Sequence, residues 1–331
     1  MRIAVDIGIF AHNEAAGIAV MLAGLIAQDI HAEADLAVRV LVLANGCTDG
    51  TVARAQAVPG VEVVDLAQGG KSRTWNRFVH DLSRREADVL VFCDADIELP
   101  LPGALTALVR GLLARPGLQV LSSQPVKDIV ARPQGLGRVE RLIARATGGL
   151  DNWRQAICGQ LYAMPAVPAR RVHMPVGLPV EDGFLRAIVL TDAFTQPEDL
   201  RRIDGMEGVH HVYASERKVG ALIRHQVRIV IGSAVNLAVY QHLDDLPAAR
   251  RVPELVRAAA DDCWLGAVVR AQLPRWPDGH VPLHFLTKRL VRADDWRIRR
   301  WPLLIAGFGF DLIVYVLAQV RMARGTGAGF W

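Results

Sequence analysis

Cysteine is scarce and scattered. Cys47, Cys93, Cys158 and Cys263 are the only four in 331 residues, and no two form a CxxC pair. A disulfide framework and a structural zinc site therefore have no basis in the sequence, and a reducing compartment is expected. No apolar signal stretch follows a basic start, because Met1-Arg2-Ile3-Ala4-Val5 runs directly into a strand pattern,. Internal repeats and low-complexity segments are missing too. Net charge is only +4, and the basic residues that do cluster, late in the chain, adjoin an apolar run instead of interleaving with aromatics, which argues against a nucleic-acid partner. Gly69-Gly70-Lys71-Ser72 lacks the earlier glycine of a Walker phosphate loop, so that class of nucleotide site is excluded.

What is present is apolar: 51% of residues are hydrophobic against 22% charged, with a mean hydropathy of +0.22. The chain can bury a large core, and the high hydropathy raises the question of membrane contact. The clearest strand spans residues 89–93, a continuous apolar run with no alternation, as expected for a strand buried on both faces of a parallel sheet. It ends on Asp94-Ala95-Asp96. Ligands of open α/β sheets collect beyond the carboxyl ends of the strands, and two acids one residue apart on a turn can meet a hard cation and a ligand hydroxyl together. Further strands are expected at residues 3–10, 38–44 and 61–66, and a helix at 16–28. Four strand–helix alternations in the first hundred residues indicate an α/β fold with a doubly wound, mostly parallel sheet.

Each strand ends in a polar motif: Ala11-His12-Asn13-Glu14, Asn45-Gly46-Cys47-Thr48-Asp49-Gly50-Thr51, Gly69-Gly70-Lys71-Ser72-Arg73-Thr74-Trp75-Asn76, and Asp94-Ala95-Asp96. In this order and spacing the motifs resemble the inverting family 2 glycosyltransferases of GT-A fold, a Rossmann-like architecture. The resemblance is dense over residues 2–102 and thinner to about residue 232. It implies a nucleotide-sugar donor, UDP-linked in the family pattern, and an Mn²⁺ or Mg²⁺ cofactor. It places Ala11 and Glu14 beside the nucleoside, has Asp49 accept from the base imide, and has Asn45 order its loop. Lys71 would approach the phosphates or hold the neighbouring acid, Asn76 would fix the turn, Asp94 and Ala95 would lie at the donor, and Asp96 supported by Asp94 would hold the metal. Simpler readings exist: Glu14 favouring a helix N-terminus, Asp49 acting only as a cap, Lys71 being a solvated lysine.

Downstream, residues 120–126 and 157–164 read as strands, the second bringing Gly159 to the donor sugar by resemblance, or carrying it as a plain bulge glycine. Residues 132–149, basic and glycine-bearing, are expected near the acceptor. Glu181-Asp182 opens an apolar helix and resembles the family's acid pair, with Asp182 as the base that deprotonates the acceptor hydroxyl and Glu181 as its neighbour or a cap. His210 and His211 lie on one strand and point to opposite faces, so at most one could ligate metal; His225 is a further candidate. Residues 222–229 with Gly232 resemble the Gln-Arg-x-Arg-Trp helix of processive members. Arg228 and Gly232 match, with Arg228 suited to diphosphate. His225, Gln226 and Ile229 depart from that pattern, which favours transfer of a single sugar.

A catalytic domain is expected over residues 1–232 and a helical C-terminal extension over 233–331. Residues 288–301 are Arg-rich with Trp296 and Trp301, and 303–320 are apolar except for Asp311 and Gln319. This tail reads as interfacial or re-entrant, as spanning, or as a buried core helix; Asp311 is costly in lipid. A membrane surface on the cytoplasmic side and a sugar or lipid acceptor are the partners expected. A nucleotidyltransferase, or a non-catalytic sugar-nucleotide-binding or membrane scaffold protein, are the alternatives.

Overall fold

A computed structural model describes residues 2–134, 137, 152–291 and 301–325. Most of the expected acceptor segment at 132–149, and Trp296 with the rest of 292–300, lie outside the described residues. Two compact units emerge: residues 1–174 with 181–215, and residues 175–180 with 216–331.

The first unit is built on eight strands: β1 (Ile3–Ala11), β2 (Leu36–Asn45), β3 (Glu62–Leu66), β4 (Val89–Asp94), β5 (Ile97–Glu98), β6 (Val120–Lys127), β7 (Leu161–Pro165) and β8 (Ile203–Tyr213). Their order is β3-β2-β1-β4-β7-β6-β8-β5. The first four in space are parallel, β7 runs antiparallel to both β4 and β6, and β6 pairs parallel with β8. The apolar runs of β1, β2 and β4 are buried almost end to end, as strands covered by helices on both faces must be. Helix Ile18–Ile26 buries Ile18, Leu22 and Leu25, and helix Ala104–Leu113 buries Leu105, Leu108 and Leu112; these helical spacings give each an apolar stripe for the sheet. The first helix is shorter than expected by two residues at each end.

The opposite layer is aromatic. Trp75 and Tyr162 both stack on Phe92, at 5.3 and 4.6 Å between centroids, and Phe78 meets it edge-on. Trp75 Nε1 donates to Tyr162 Oη at 2.9 Å, so the stack closes without an unsatisfied indole.

The second unit is helical: Val219–Asp244, Ala248–Ala260, Trp264–Gln272, His284–Val291 and Trp301–Ala323. Gly232, where the composition changes, lies inside the first of these helices. A Cβ there would collide with Val180 Cγ2, and Asn236 Nδ2 donates to Val180 O at 2.9 Å. The glycine thus admits the 175–180 segment against the helix, which continues unbroken past residue 232.

Asp6, fully buried on β1, accepts from Arg84 N at 2.6 Å and from Arg84 Nε at 2.7 Å. Arg84 also donates to the carbonyls of Val5 and Ala37, so one guanidinium joins β1, β2 and the turn before β4. Removing one partner of a buried pair leaves the other uncompensated. Asp6→Ala should cost about 3–5 kcal/mol in urea denaturation; a loss under about 1 kcal/mol would show that the pair is solvated.

Candidate active site

The carboxyl ends of β1, β2 and β4 converge on three loops. After β2, Gly46 N donates to Leu66 O at 2.8 Å, fixing the loop to β3. Asn45 is buried and its Oδ1 accepts from Thr74 Oγ1 at 2.9 Å. Asn45 therefore orders the loop. His12 Nδ1 donates to Asn45 O at 2.6 Å, joining the β1 and β2 loops. Asn13, in the left-handed region at φ 56°, accepts from Thr48 N at 2.8 Å. Thr51 Oγ1 accepts from Glu14 N at 2.7 Å and donates to Asp49 Oδ1 at 2.5 Å. His12, Asn13, Thr51 and Thr74 were not singled out from sequence. Only Asn13 carried a local sign, since Asn tolerates left-handed backbone.

Asp49 is exposed and does cap: Oδ1 also accepts from Thr51 N at 3.0 Å, and Oδ2 from Ala15 N at 3.1 Å. These bonds, led by that from the Thr51 hydroxyl, hold its carboxyl below the usual range. A carboxylate offers about four acceptor sites, so the three bonds leave one toward solvent. Ala11 is buried at the end of β1, with its carbonyl accepting from Cys47 Sγ at 3.4 Å. Glu14 is half-buried, and burial pushes its carboxyl up, with the charges of Asp96 and Asp49 adding. Glu14, Asp49 and Asp96 thus make a shared negative field at the mouth of the loops.

At the end of β4 the two acids separate in role. Asp94 faces Lys71, whose Nζ lies 2.7 Å from both carboxylate oxygens. The same ammonium donates to Gly159 O at 3.1 Å and sits 3.2 Å from Glu181 Oε1. Lys71 is largely buried. Burial works against its charge, but Asp94 and Glu181 outweigh that and hold the ammonium well above its ordinary value. Burial pushes the Asp94 carboxyl up to about 7; Lys71 opposes the rise, and Asp96 and Glu181 add to it. Asp96, by contrast, is exposed and has no hydrogen bond or ion pair to another described residue. Ala95, buried between them, donates its N–H to Phe10 O at 3.0 Å and ties the turn to β1.

Glu181 and Asp182 open helix Glu181–Leu190. Gly159 lies against them, and a Cβ added to it would come within 3.1 Å of Asp182 Cβ. Gly159 sits in the turn before β7, not in the strand expected over residues 157–164. The strand begins only at Leu161, because Asp94 N donates to Gln160 O and pairing with β4 starts from Cys93 and Leu161. Asn76 is buried, with Nδ2 donating to Met174 O at 2.7 Å and Oδ1 accepting from Met174 N at 3.1 Å. Its amide reads backbone, so it positions the helix Lys71–Arg77 and does not present a donor to the loops. Arg228 and His225 lie on helix Val219–Asp244, in the other unit.

Residues 6–158 match the model of glycosyl transferase family 2. The chain carries a family 2 glycosyltransferase domain. No curated protein sequence matches the chain. Among solved structures, a mannosyltransferase from Pyrobaculum calidifontis, in complex with GDP-Man and Mn²⁺, is 18% identical; the match covers 96% of this chain and 87% of that one, with a TM-score of 0.51. Glucosyl-3-phosphoglycerate synthase from Mycobacterium tuberculosis, in complex with Mn²⁺, UDP-glucose and phosphoglyceric acid, is 24% identical over 72% of this chain and 79% of that one, with a TM-score of 0.48. The sheet order and the match to the mannosyltransferase bear out the GT-A fold.

Within the first unit, His211 is fully buried on β8. Nε2 faces Gln160 Oε1 at 2.9 Å and Nδ1 faces Ser123 Oγ at 2.5 Å. In the neutral ring Nε2 donates to the amide oxygen and Nδ1 accepts from the Ser123 hydroxyl, whose one hydrogen is shared with Leu161 O at 3.3 Å,. With both nitrogens engaged by protein, His211 is a core histidine. Among the described residues no three His, Cys, Asp or Glu side chains gather as a ready-made metal site.

Burial, with the charge of His210, lowers the His211 pKa from 6.5 to about 4. The unfolded chain then takes up a proton before the folded one does. The contribution of the neutral ring is complete above pH 6.5 and is lost as pH falls from there toward 4, by up to about 3 kcal/mol. His211→Gln should be less stable at pH 7 but should lose about 2 kcal/mol less than the parent between pH 7 and pH 5. Equal losses in denaturant titrations would contradict this protonation state.

Proposed function

We propose that this family 2 domain transfers one sugar from a nucleoside diphosphate sugar to an acceptor hydroxyl with inversion, assisted by a divalent cation. The observation that carries the reading is the Lys71 bridge, which sets Asp94, the Gly159 carbonyl and Glu181 around one ammonium beside the exposed Asp96. UDP-linked sugars are the first donors to test. GDP-mannose is the second, because the mannosyltransferase of the same fold was solved with it.

The donor set suits a cation that arrives with its substrate. Mg²⁺ and Mn²⁺ are hard ions, and Mg²⁺ in particular is held through one or two carboxylates completed by water and substrate phosphates. Asp96 supplies such a carboxylate in a field made more negative by Glu14 and Asp49. Bound there, the ion would offset charge on the departing diphosphate. Asp94 stays with Lys71 and orients the turn that carries Asp96. The remaining lone pair of Asp49 is suited to accept from a base N–H.

On the acceptor side Glu181 faces Lys71, and we take Asp182, its neighbour at the helix start, as the base that receives the acceptor proton. The acceptor oxygen forms its bond to the anomeric carbon on the face opposite the diphosphate. The bond to the diphosphate oxygen breaks with its electron pair, the Asp182 carboxylate receives the proton, and the configuration inverts. Gly159 keeps the side of Asp182 clear, since a side chain there would crowd its Cβ.

Release of nucleoside diphosphate from a panel of sugar donors should require Mn²⁺ or Mg²⁺ and should be lost in excess chelator. Asp96→Asn should abolish turnover and cation-dependent donor binding with the melting temperature unchanged; full activity in that variant would overturn the metal assignment. Asp182→Asn should lower turnover by about 10²–10⁴-fold with donor affinity kept. If Glu181→Gln gives that pattern and Asp182→Asn does not, the base is Glu181.

A further inference from the structure

Helix Trp301–Ala323 has two unlike faces. Asp311, Val314, Ala318 and Met322 are buried, at spacings that place them along one side of the helix, and the helix packs on Val219–Asp244 and on His284–Val291 within the same unit. Ile305, Leu312, Ile313, Val316 and Val320 are exposed and recur at three-, four- and seven-residue spacings along the opposite side. A stripe of this length, aliphatic throughout, is unusual on a solvated surface.

Residues 304–323 are apolar enough to cross a bilayer, and theirs is the only such helix among the described residues. Its packing argues against crossing. Helix Val219–Asp244, on which it packs, carries Arg224 and Arg228 together with the polar His225 and Gln226, and charges drawn into hydrocarbon are expensive. The helix is also tied sideways: Gln319 Nε2 donates to the carbonyls of Asp278 and Val281, Gln319 Oε1 accepts from His280 N, and Tyr315 Oη donates to Val281 O. The turn so anchored carries Trp276, 91% exposed, while Trp301, 51% exposed, starts the helix. Exposed tryptophan therefore stands near both ends of the stripe, the residue type that settles at headgroup depth.

Charge divides in the same direction. Residues 216–331 hold 17 Lys and Arg against 10 Asp and Glu, a net +7, so the rest of the chain is −3. The unit that presents the stripe is thus the cationic one, complementary to anionic headgroups.

We propose that the stripe Ile305, Leu312, Ile313, Val316 and Val320 lies flat in the surface of an anionic membrane, as an in-plane contact and not a crossing. This goes beyond the transfer reaction and does not depend on it. The test is flotation of the full chain with phosphatidylglycerol/phosphatidylcholine vesicles and with pure phosphatidylcholine vesicles, without donor. The protein should float with the anionic vesicles, much less with the neutral ones, and should be released by high salt or alkaline wash. The pair Ile313→Glu and Val316→Glu should reduce the bound fraction about tenfold or more. Trp276→Ala, which alters an exposed side chain only, should weaken binding with the melting temperature unchanged, and so serves if the double variant does not fold. Several outcomes would overturn the proposal. These are no binding to anionic vesicles, binding untouched by Trp276→Ala, retention through alkaline wash as for a crossing helix, or a lipid-free dimer in sedimentation velocity that Trp276→Ala dissociates, which would make a second copy the occupant.

Discussion

One ammonium group organises the catalytic unit. Lys71 Nζ reaches Asp94, the Gly159 carbonyl and Glu181 at once, and these belong to the end of β4, the turn before β7 and the start of helix Glu181–Leu190. A largely buried Lys is tolerable only with such compensation, because desolvation of an ion costs several kcal/mol unless partners replace the water. The compensation is mutual: two carboxylates at close range repel each other, and the cation between them allows both to stay at the crevice. Lys71 thereby sets the distance between Asp94 and the Glu181-Asp182 pair.

The sheet makes this meeting possible. β1, β2 and β4 are parallel, so their carboxyl ends deliver the Ala11–Glu14, Asn45–Thr51 and Asp94–Asp96 loops to one edge. β7 returns antiparallel along β4, which is why the turn before it, carrying Gly159, arrives at the same edge. Tyr162 on β7 stacks on Phe92 of β4, which ties the two strands together. The polar loops above are held by short side-chain bonds through Asn45, Thr51 and Asn13, so the edge is shaped before any ligand binds. Such preorganisation is what positioned chemistry requires.

Much of this was legible in the residues. The unbroken apolar run at 89–93 announced a strand buried on both faces, and the polar motifs after successive strands announced a shared edge. Asp94 and Asp96 could be found in this way, yet their division of labour could not. It depends on Lys71 lying 23 residues earlier and Glu181 lying 87 residues later than Asp94, a proximity that no local pattern encodes. The antiparallel course of β7 was hidden for a related reason: residues 157–164 read as one apolar stretch, and only pairing with β4 decides that the strand starts at Leu161. His211 was ambiguous because a strand histidine looks the same whether its ring meets metal or, as here, Ser123 and Gln160. Asp49 could be read as a cap because two of its bonds, both from Thr51, are local; the third, from Ala15, could not. In the second unit, length and hydropathy of the last helix did not distinguish crossing from lying flat.

The central claim is that the crevice becomes a cation site only when the donor diphosphate completes it, because Asp96 is a single open carboxylate and no three-ligand cluster exists among the described residues. Mn²⁺ electron paramagnetic resonance on the full chain tests this most directly. The account predicts weak Mn²⁺ binding by the protein alone, and ordered, protein-bound Mn²⁺ once a nucleoside diphosphate is added. Mn²⁺ bound as tightly without the nucleotide, or left in solution with it, would contradict the account.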